Sequence, residues 1–195
     1  IGGGRSSPFR ALIGCVLSQR TREVNAERAA EALFAEAECP AEVLGLGRDR
    51  LKRLIRCSGF YNQKAGHIIG ICEALLGEFG GRVPDDREGL LSLPGVGPKT
   101  ADVVLSHAFD RPAIAVDVHV ATVAKRLGLV EEGAGPEAVK EALEALVPPG
   151  ERRLVDGAFV RLGKEYCRKR ASRCTHCFLK ALCGYPGLRG SEQSP

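Results

Sequence analysis

Four cysteines, Cys167, Cys174, Cys177 and Cys183, fall within 17 residues near the end of this 195-residue chain, in the spacing C-x6-C-x2-C-x5-C. Secreted scaffolds spread paired cysteines along the chain as disulfide staples. Thiols packed this tightly, with an x2 pair in the middle, suit thiolate ligation of one metal centre instead. An iron–sulfur cluster fits the spacing better than zinc, the alternative. Zinc usually takes two CxxC-type pairs separated by a longer loop, and only Cys174 and Cys177 make such a pair. The other four cysteines, Cys15, Cys39, Cys57 and Cys72, lie far apart in apolar helical patterns and read as buried thiols without chemistry.

The length allows one large domain or two small interlocked ones, with a core that needs no disulfides. No run of eighteen apolar residues occurs, and no charged-then-apolar leader opens the chain, so the expectation is a soluble, cytoplasmic monomer with no membrane contact. The net charge is +4. Its distribution is uneven: residues 151–183 carry nine Lys/Arg against three acids, while the remainder of the chain is slightly acidic. A basic block around the cysteine loop is the footprint expected for contacts to nucleic-acid phosphates.

Apolar residues repeat at three and four almost everywhere, and period-two strand patterns are nearly absent, which predicts an all-α fold. Ser7-Pro8 opens a first helix with Phe9, Leu12, Ile13, Val16 and Leu17 as its buried stripe. Further helices are predicted over about 21–34, 40–46, 49–57 and 62–79, the last ending at Gly80-Gly81. A short helix, a hairpin, a helix to Phe109, an extended connection and a helix from Asp117 come next. Pro136 opens another helix, Pro148-Pro149-Gly150 breaks it, and a last long helix from Arg152 leads into the cysteine loop. The expected arrangement is two helical lobes, one of residues 21–132 and one of residues 1–20 with 133–195.

The hairpin is the string Leu93-Pro94-Gly95-Val96-Gly97-Pro98-Lys99-Thr100-Ala101. Its glycines let the backbone turn sharply and aim amides outward at a helix N-terminus, which binds an anion. With a helical run on each side this is a helix-hairpin-helix, a device in which Gly95, Val96, Gly97 and Thr100 hold a nucleic-acid phosphate without reading bases.

At this point the chain resembles the endonuclease III family, within the helix-hairpin-helix superfamily of base-excision DNA glycosylases. The resemblance spans nearly the whole length. It rests on the hairpin string, Val116-Asp117-Val118-His119, Gly59-Phe60-Tyr61-Asn62-Gln63-Lys64-Ala65, Val83-Pro84-Asp85-Asp86 and the four-cysteine loop, all in the family's order. It implies a [4Fe-4S] cluster on Cys167, Cys174, Cys177 and Cys183, and duplex DNA carrying damaged pyrimidines or abasic sites as partner. It further implies that Lys99 attacks the sugar C1′ with Asp117 as partner carboxylate, so that an imine forms and β-elimination nicks the strand. A base must be flipped out for this chemistry and the hole filled. The resemblance places one filler at the turn after the first helix, Gln19 and Arg20, and another at Phe60 with Tyr61 beside it. The family usually shows glutamine at the fourth position of Leu-Ser-x-Gln; here Gln19 stands one position early and Arg20 takes its place. Pro98 is a second departure, standing where a basic residue is common.

The cluster, with all four positions filled by thiolates, is expected to be structural and to hold Arg168, Lys169, Arg170 and Arg173 against the phosphate backbone. His176 reads as a surface residue, His119 as a packing or hydrogen-bonding one, and His67 and His107 as core or surface ones. The resulting expectation is a bifunctional glycosylase and AP lyase acting on oxidised pyrimidines. The alternatives are a monofunctional mismatch glycosylase, disfavoured by Lys99, and a catalytically weak, cluster-containing damage-sensing module, for which Arg20 and Pro98 speak.

Overall fold

A computed structural model describes residues 7–185 and is helical, with no strand among the described residues. Contacts gather the chain into two compact units, Ile1–Arg111 and Pro112–Pro195.

The first unit holds α1 (Pro8–Ser18), α2 (Glu23–Phe34), α3 (Pro40–Leu54), α4 (Tyr61–Glu78), α5 (Arg87–Ser92) and α6 (Pro98–Ala108). Ser7 caps α1 by accepting from the Arg10 amide at 3.2 Å, with Pro8 at the first helical position. The predicted stripe Phe9, Leu12, Ile13, Val16 and Leu17 is buried. Through it α1, which the sequence pattern groups with the C-terminal segment, packs on α2, α4 and α6. The start of α2 falls two residues later than predicted, because the Thr21 hydroxyl is taken by the Gln19 carbonyl and the Lys64 ammonium. Gly47, at φ 72° and ψ 160°, interrupts α3, so this segment is the expected pair of short helices. Gly80 and Gly81, both left-handed, end α4, and the Gly81 amide donates back to the Leu75 carbonyl at 2.7 Å.

Two features brace the helix-hairpin-helix. Asp86 caps α5 through the Gly89 amide at 2.8 Å. Arg87 at the start of α5 donates from Nε to Oδ1 of Asp102 on α6 at 3.0 Å. Asp102 is 2% exposed, and a carboxylate so placed is retained only with its charge met, which ties the two helices to one separation. Beneath them Leu12, Ile13, Leu17, Ile68, Ile71, Leu75 and Leu90 are fully buried, each contributing about 1.5–3 kcal/mol of burial.

The second unit holds α7 (Val118–Arg126), α8 (Pro136–Leu146) and α9 (Arg152–Glu165), with single 3-10 turns at Pro149–Glu151 and Cys174–His176. Its core is Ile114, Val120, Ala124, Val139, Leu143 and Val155. The extended stretch before α7 is held by the Ile114 amide, which donates to Oε1 of Glu144 at 3.0 Å, and by Arg152, which donates to the carbonyls of Pro112 and Val147. No helix among the described residues is long and apolar enough to cross a membrane.

The helices α7 and α9 meet closely where Gly163 faces His119. A Cβ at Gly163 would stand 2.7 Å from His119 Nδ1 and 2.9 Å from its Cβ. His119 is therefore a packing residue as predicted. Gly163→Ala must push the two helices apart, and a loss of about 1–3 kcal/mol in urea unfolding is the expected outcome.

Candidate active site and four-thiol loop

The hairpin takes the shape that its glycines dictate. Val96 is 7% exposed and anchors the turn in the core, its amide donating to the Leu93 carbonyl at 3.1 Å. Gly95 adopts φ 75°. The His67 ring of α4 lies directly beneath it: a Cβ on Gly95 would fall 2.3 Å from His67 Nδ1. Glycine is thus required twice over, by conformation and by space. Among the described residues, His67 Nδ1 is a buried side-chain nitrogen with no hydrogen-bond partner. Gly97 precedes α6 and brings no side-chain cap, so no capping side chain takes up the amides of that first turn.

Lys99 is exposed in that first turn. Cys15 of α1 is close enough to feel its charge: burial pushes the Cys15 thiol up to about 11, with the Lys99 ammonium pulling it back. Cys15, Cys39 and Cys57 are half-buried rather than buried; only Cys72 is enclosed, and burial raises its thiol to about 12. Spacing on an amphipathic helix marks the inward face but does not separate its edge from its centre.

Thr100 is nearly buried, and its hydroxyl oxygen accepts from Gln19 Nε2 at 3.3 Å, while the same amide donates to the Gly95 carbonyl at 3.0 Å. Gln19 is therefore bound to the hairpin. Arg20, at φ 50°, is exposed, and its guanidinium sits 5.6 Å from the centre of the Phe60 ring. Phe60 is itself left-handed at φ 60° and 58% exposed, with Tyr61 half-buried behind it. An exposed aromatic in a strained backbone conformation is not a core residue. Lys64, which the sequence shows only as part of a motif, is 3% exposed beneath these turns. Burial lowers its ammonium to about 8, which leaves it protonated at neutral pH.

Asp117 stands at the head of α7, where its Oδ1 accepts from the amides of His119 at 2.8 Å and Val120 at 2.9 Å. Asp117 is thus the N-cap of α7, on a half-buried carboxylate.

The other end of α7 supports the cysteine loop. Cys167, Cys174, Cys177 and Cys183 line one cavity, together with Val123, Arg126, Leu162 and Tyr185. All four thiols are free. Arg126 donates to the carbonyls of Cys167 at 3.1 Å and Arg168 at 2.8 Å, lies 3.4 Å from the Cys167 sulfur, and stacks on Tyr185 at 4.4 Å. Its own carbonyl accepts from the Cys183 thiol at 3.4 Å. Among the described residues no three His, Cys, Asp or Glu are gathered closely enough to hold a metal ion. Arg168, Lys169, Arg170 and Arg173 are all exposed on this loop. His176 is exposed too, its Nδ1 paired with the Thr175 hydroxyl at 3.0 Å.

Sequence reasoning missed Arg87–Asp102, His67, Lys64 and Arg126. A charged residue at an apolar position of the helical pattern, as at Asp102 and Lys64, was the available signal.

Residues 13–149 match the family described as HhH-GPD superfamily base excision DNA repair protein. The chain is 44% identical over 188 residues to endonuclease III of Thermotoga maritima, covering 96% of this chain and 88% of that one. It is 40% identical over 180 residues to endonuclease III of Escherichia coli, covering 92% and 85%. Among solved structures it is similar to a trapped endonuclease III–DNA covalent intermediate, with a TM-score of 0.87 at 34% identity over 96% of this chain and 88% of that one. It is also similar to a thermostable thymine-DNA glycosylase, with a TM-score of 0.86 at 28% identity over 95% and 87%.

The packing of Gly95 on His67 sets a test. Gly95→Ala is expected to cost about 2–4 kcal/mol in urea unfolding and to weaken binding to any duplex regardless of sequence. In a His67→Ala background the same substitution should cost only the left-handed backbone penalty of about 1–2 kcal/mol.

Proposed function

From its membership of the HhH-GPD superfamily of base excision DNA repair proteins, and within it of the endonuclease III family, we propose the following roles for the residues of this chain. The chain is a base-excision DNA glycosylase with AP-lyase activity, and duplex DNA is its partner. The observation that carries the assignment of the chemistry is Lys99: an exposed amine in the first helical turn after a hairpin whose glycine is locked over His67.

The Val96 amide is taken up by the Leu93 carbonyl, so of the amides expected from the sequence those of Gly95, Gly97 and Thr100 hold a backbone phosphate and so fix the register of the strand relative to Lys99. With the damaged nucleotide flipped out, Lys99 Nζ attacks C1′ as the C1′–N bond to the base breaks. Asp117 takes up or relays the proton and stabilises the positive charge that develops on the sugar. The resulting ring-closed adduct opens by cleavage of its C1′–O4′ bond, O4′ taking a proton, to give the imine, which acidifies the C2′ proton; loss of that proton expels the 3′ phosphate by β-elimination, and water then hydrolyses the imine and releases Lys99. Phe60 and Arg20 occupy the vacated position in the duplex, with Gln19 behind them on the hairpin. The substrate class is oxidised pyrimidines and abasic sites, and the reaction belongs where DNA is, in the cytoplasm or its nucleoid.

We assign a [4Fe-4S] cluster to Cys167, Cys174, Cys177 and Cys183. Four free thiols around one cavity, with largely apolar walls and an arginine at the edge, suit a polynuclear centre better than the single tetrahedral point that zinc requires. Such a cluster, fully ligated by thiolate, supplies rigidity to the loop. Arg168, Lys169, Arg170 and Arg173 then meet the phosphate backbone without a separate ordering cost.

Borohydride trapping on a duplex with one abasic site tests the nucleophile: the wild type should form a covalent adduct and Lys99→Ala none. An adduct of undiminished yield in Lys99→Ala would sink the assignment. For the cluster, iron and acid-labile sulfide should each be found at about four per chain. Cys174→Ser should lose iron and weaken duplex binding with a shallower salt dependence, read by titration at several salt concentrations.

A further inference from the structure

The two turns that carry the proposed hole-filling side chains are joined beneath the surface. Lys64 Nζ donates to the Leu17 carbonyl at 2.6 Å, to the Thr21 hydroxyl at 2.7 Å and to the Ser58 hydroxyl at 2.7 Å. All three N–H bonds of the ammonium are used, one on the last turn of α1, one past the Gln19–Arg20 turn and one before Phe60. The acceptors are themselves engaged: Ser58 donates onward to the Leu17 carbonyl at 3.0 Å and Thr21 to the Gln19 carbonyl at 3.2 Å. The negative end of α1 adds to the attraction at Leu17. The backbones touch as well, for a Cβ on Gly59 would lie 3.0 Å from the Arg20 carbonyl and 3.3 Å from the Thr21 hydroxyl. On the outer side Arg20 lies over the Phe60 ring. Two non-glycine residues in left-handed conformations persist only where the surroundings over-determine them, and this network is what surrounds both.

We propose that Lys64 is a positioning residue for lesion engagement, its ammonium locking the turn of Gln19 and Arg20 to the turn of Phe60 so that both enter the duplex as one rigid piece. This rests on the reading of Arg20 and Phe60 as groups that fill the place of the flipped nucleotide. Lys64 touches neither DNA nor the reacting sugar; it acts through the geometry of the two turns. Because Gln19 is bonded to the hairpin, the piece is also held in register with the phosphate-binding amides.

The test uses the cluster-containing full chain and two duplexes, one undamaged and one with a tetrahydrofuran abasic analogue opposite 2-aminopurine, whose fluorescence rises when insertion unstacks it. Lys64→Met keeps the side-chain stem and removes the three hydrogen bonds. Its preference for the abasic over the undamaged duplex should fall on the order of tenfold, with the 2-aminopurine signal reduced and binding to undamaged DNA unchanged. In an Arg20→Ala/Phe60→Ala background Lys64→Met should produce no further loss. Equal weakening on both duplexes, an additive loss in the truncated background, or an unchanged preference would each overturn the proposal. Should Lys64→Met fail to fold, Gly59→Ala separates the turns without touching the charge and must give the same signature; full abasic preference in that variant overturns the proposal equally. A wild-type chain with no abasic preference would instead remove the glycosylase reading, and this one with it.

Discussion

A buried ammonium must find acceptors for three N–H bonds, and at Lys64 they come from three separate stretches of chain. That requirement fixes where α1 ends, how the chain turns at 19–21 and how it enters α4. Removing any one acceptor leaves a charged donor in a low-dielectric interior, a cost far above that of a surface hydrogen bond. The apolar faces of α1 and α4 would pack acceptably over a range of small displacements. The lysine selects one of them, and with it the positions of Gln19, Arg20 and Phe60.

The same logic recurs at the hairpin. Arg87 and Asp102 set the separation of α5 and α6, and the His67 ring sets the height at which Gly95 turns. Neither interaction involves the amides proposed to hold the phosphate, yet both decide where those amides stand. The exposed residues of the site are few and chemically plain. The specificity of their placement is carried by buried polar groups one layer in.

This division explains what could be read from the sequence. Local signals were legible: Ser7-Pro8, Asp86, Asp117, Pro98 and Pro136 start helices where caps and prolines say they should, and Gly47 and Gly80-Gly81 break or end them. The hairpin turn and the grouping of the four cysteines were legible because each is written in short spacings. Long-range polar pairs were not, since nothing local ties Lys64 to Leu17 or Arg87 to Asp102, and periodicity treats Cys15, Cys39 and Cys57 as core when they lie at its edge. Arg126 likewise reads as an ordinary basic residue at a helix end, although its backbone and side chain both hold the four-thiol loop.

α7 is only nine residues long, with the carboxylate of Asp117 at its head and the arginine that supports the cysteine loop at its foot. Because Asp117 is also the cap of that helix, replacing it by alanine would disturb two things together, the counter-charge we propose it offers the reacting sugar and the order of a helix that ends under the four thiols. A kinetic defect in such a variant would combine chemistry with misfolding of the loop. Asparagine, which caps as well as aspartate does, separates them, so the apparent catalytic weight of this carboxylate depends on which replacement an experimenter happens to choose.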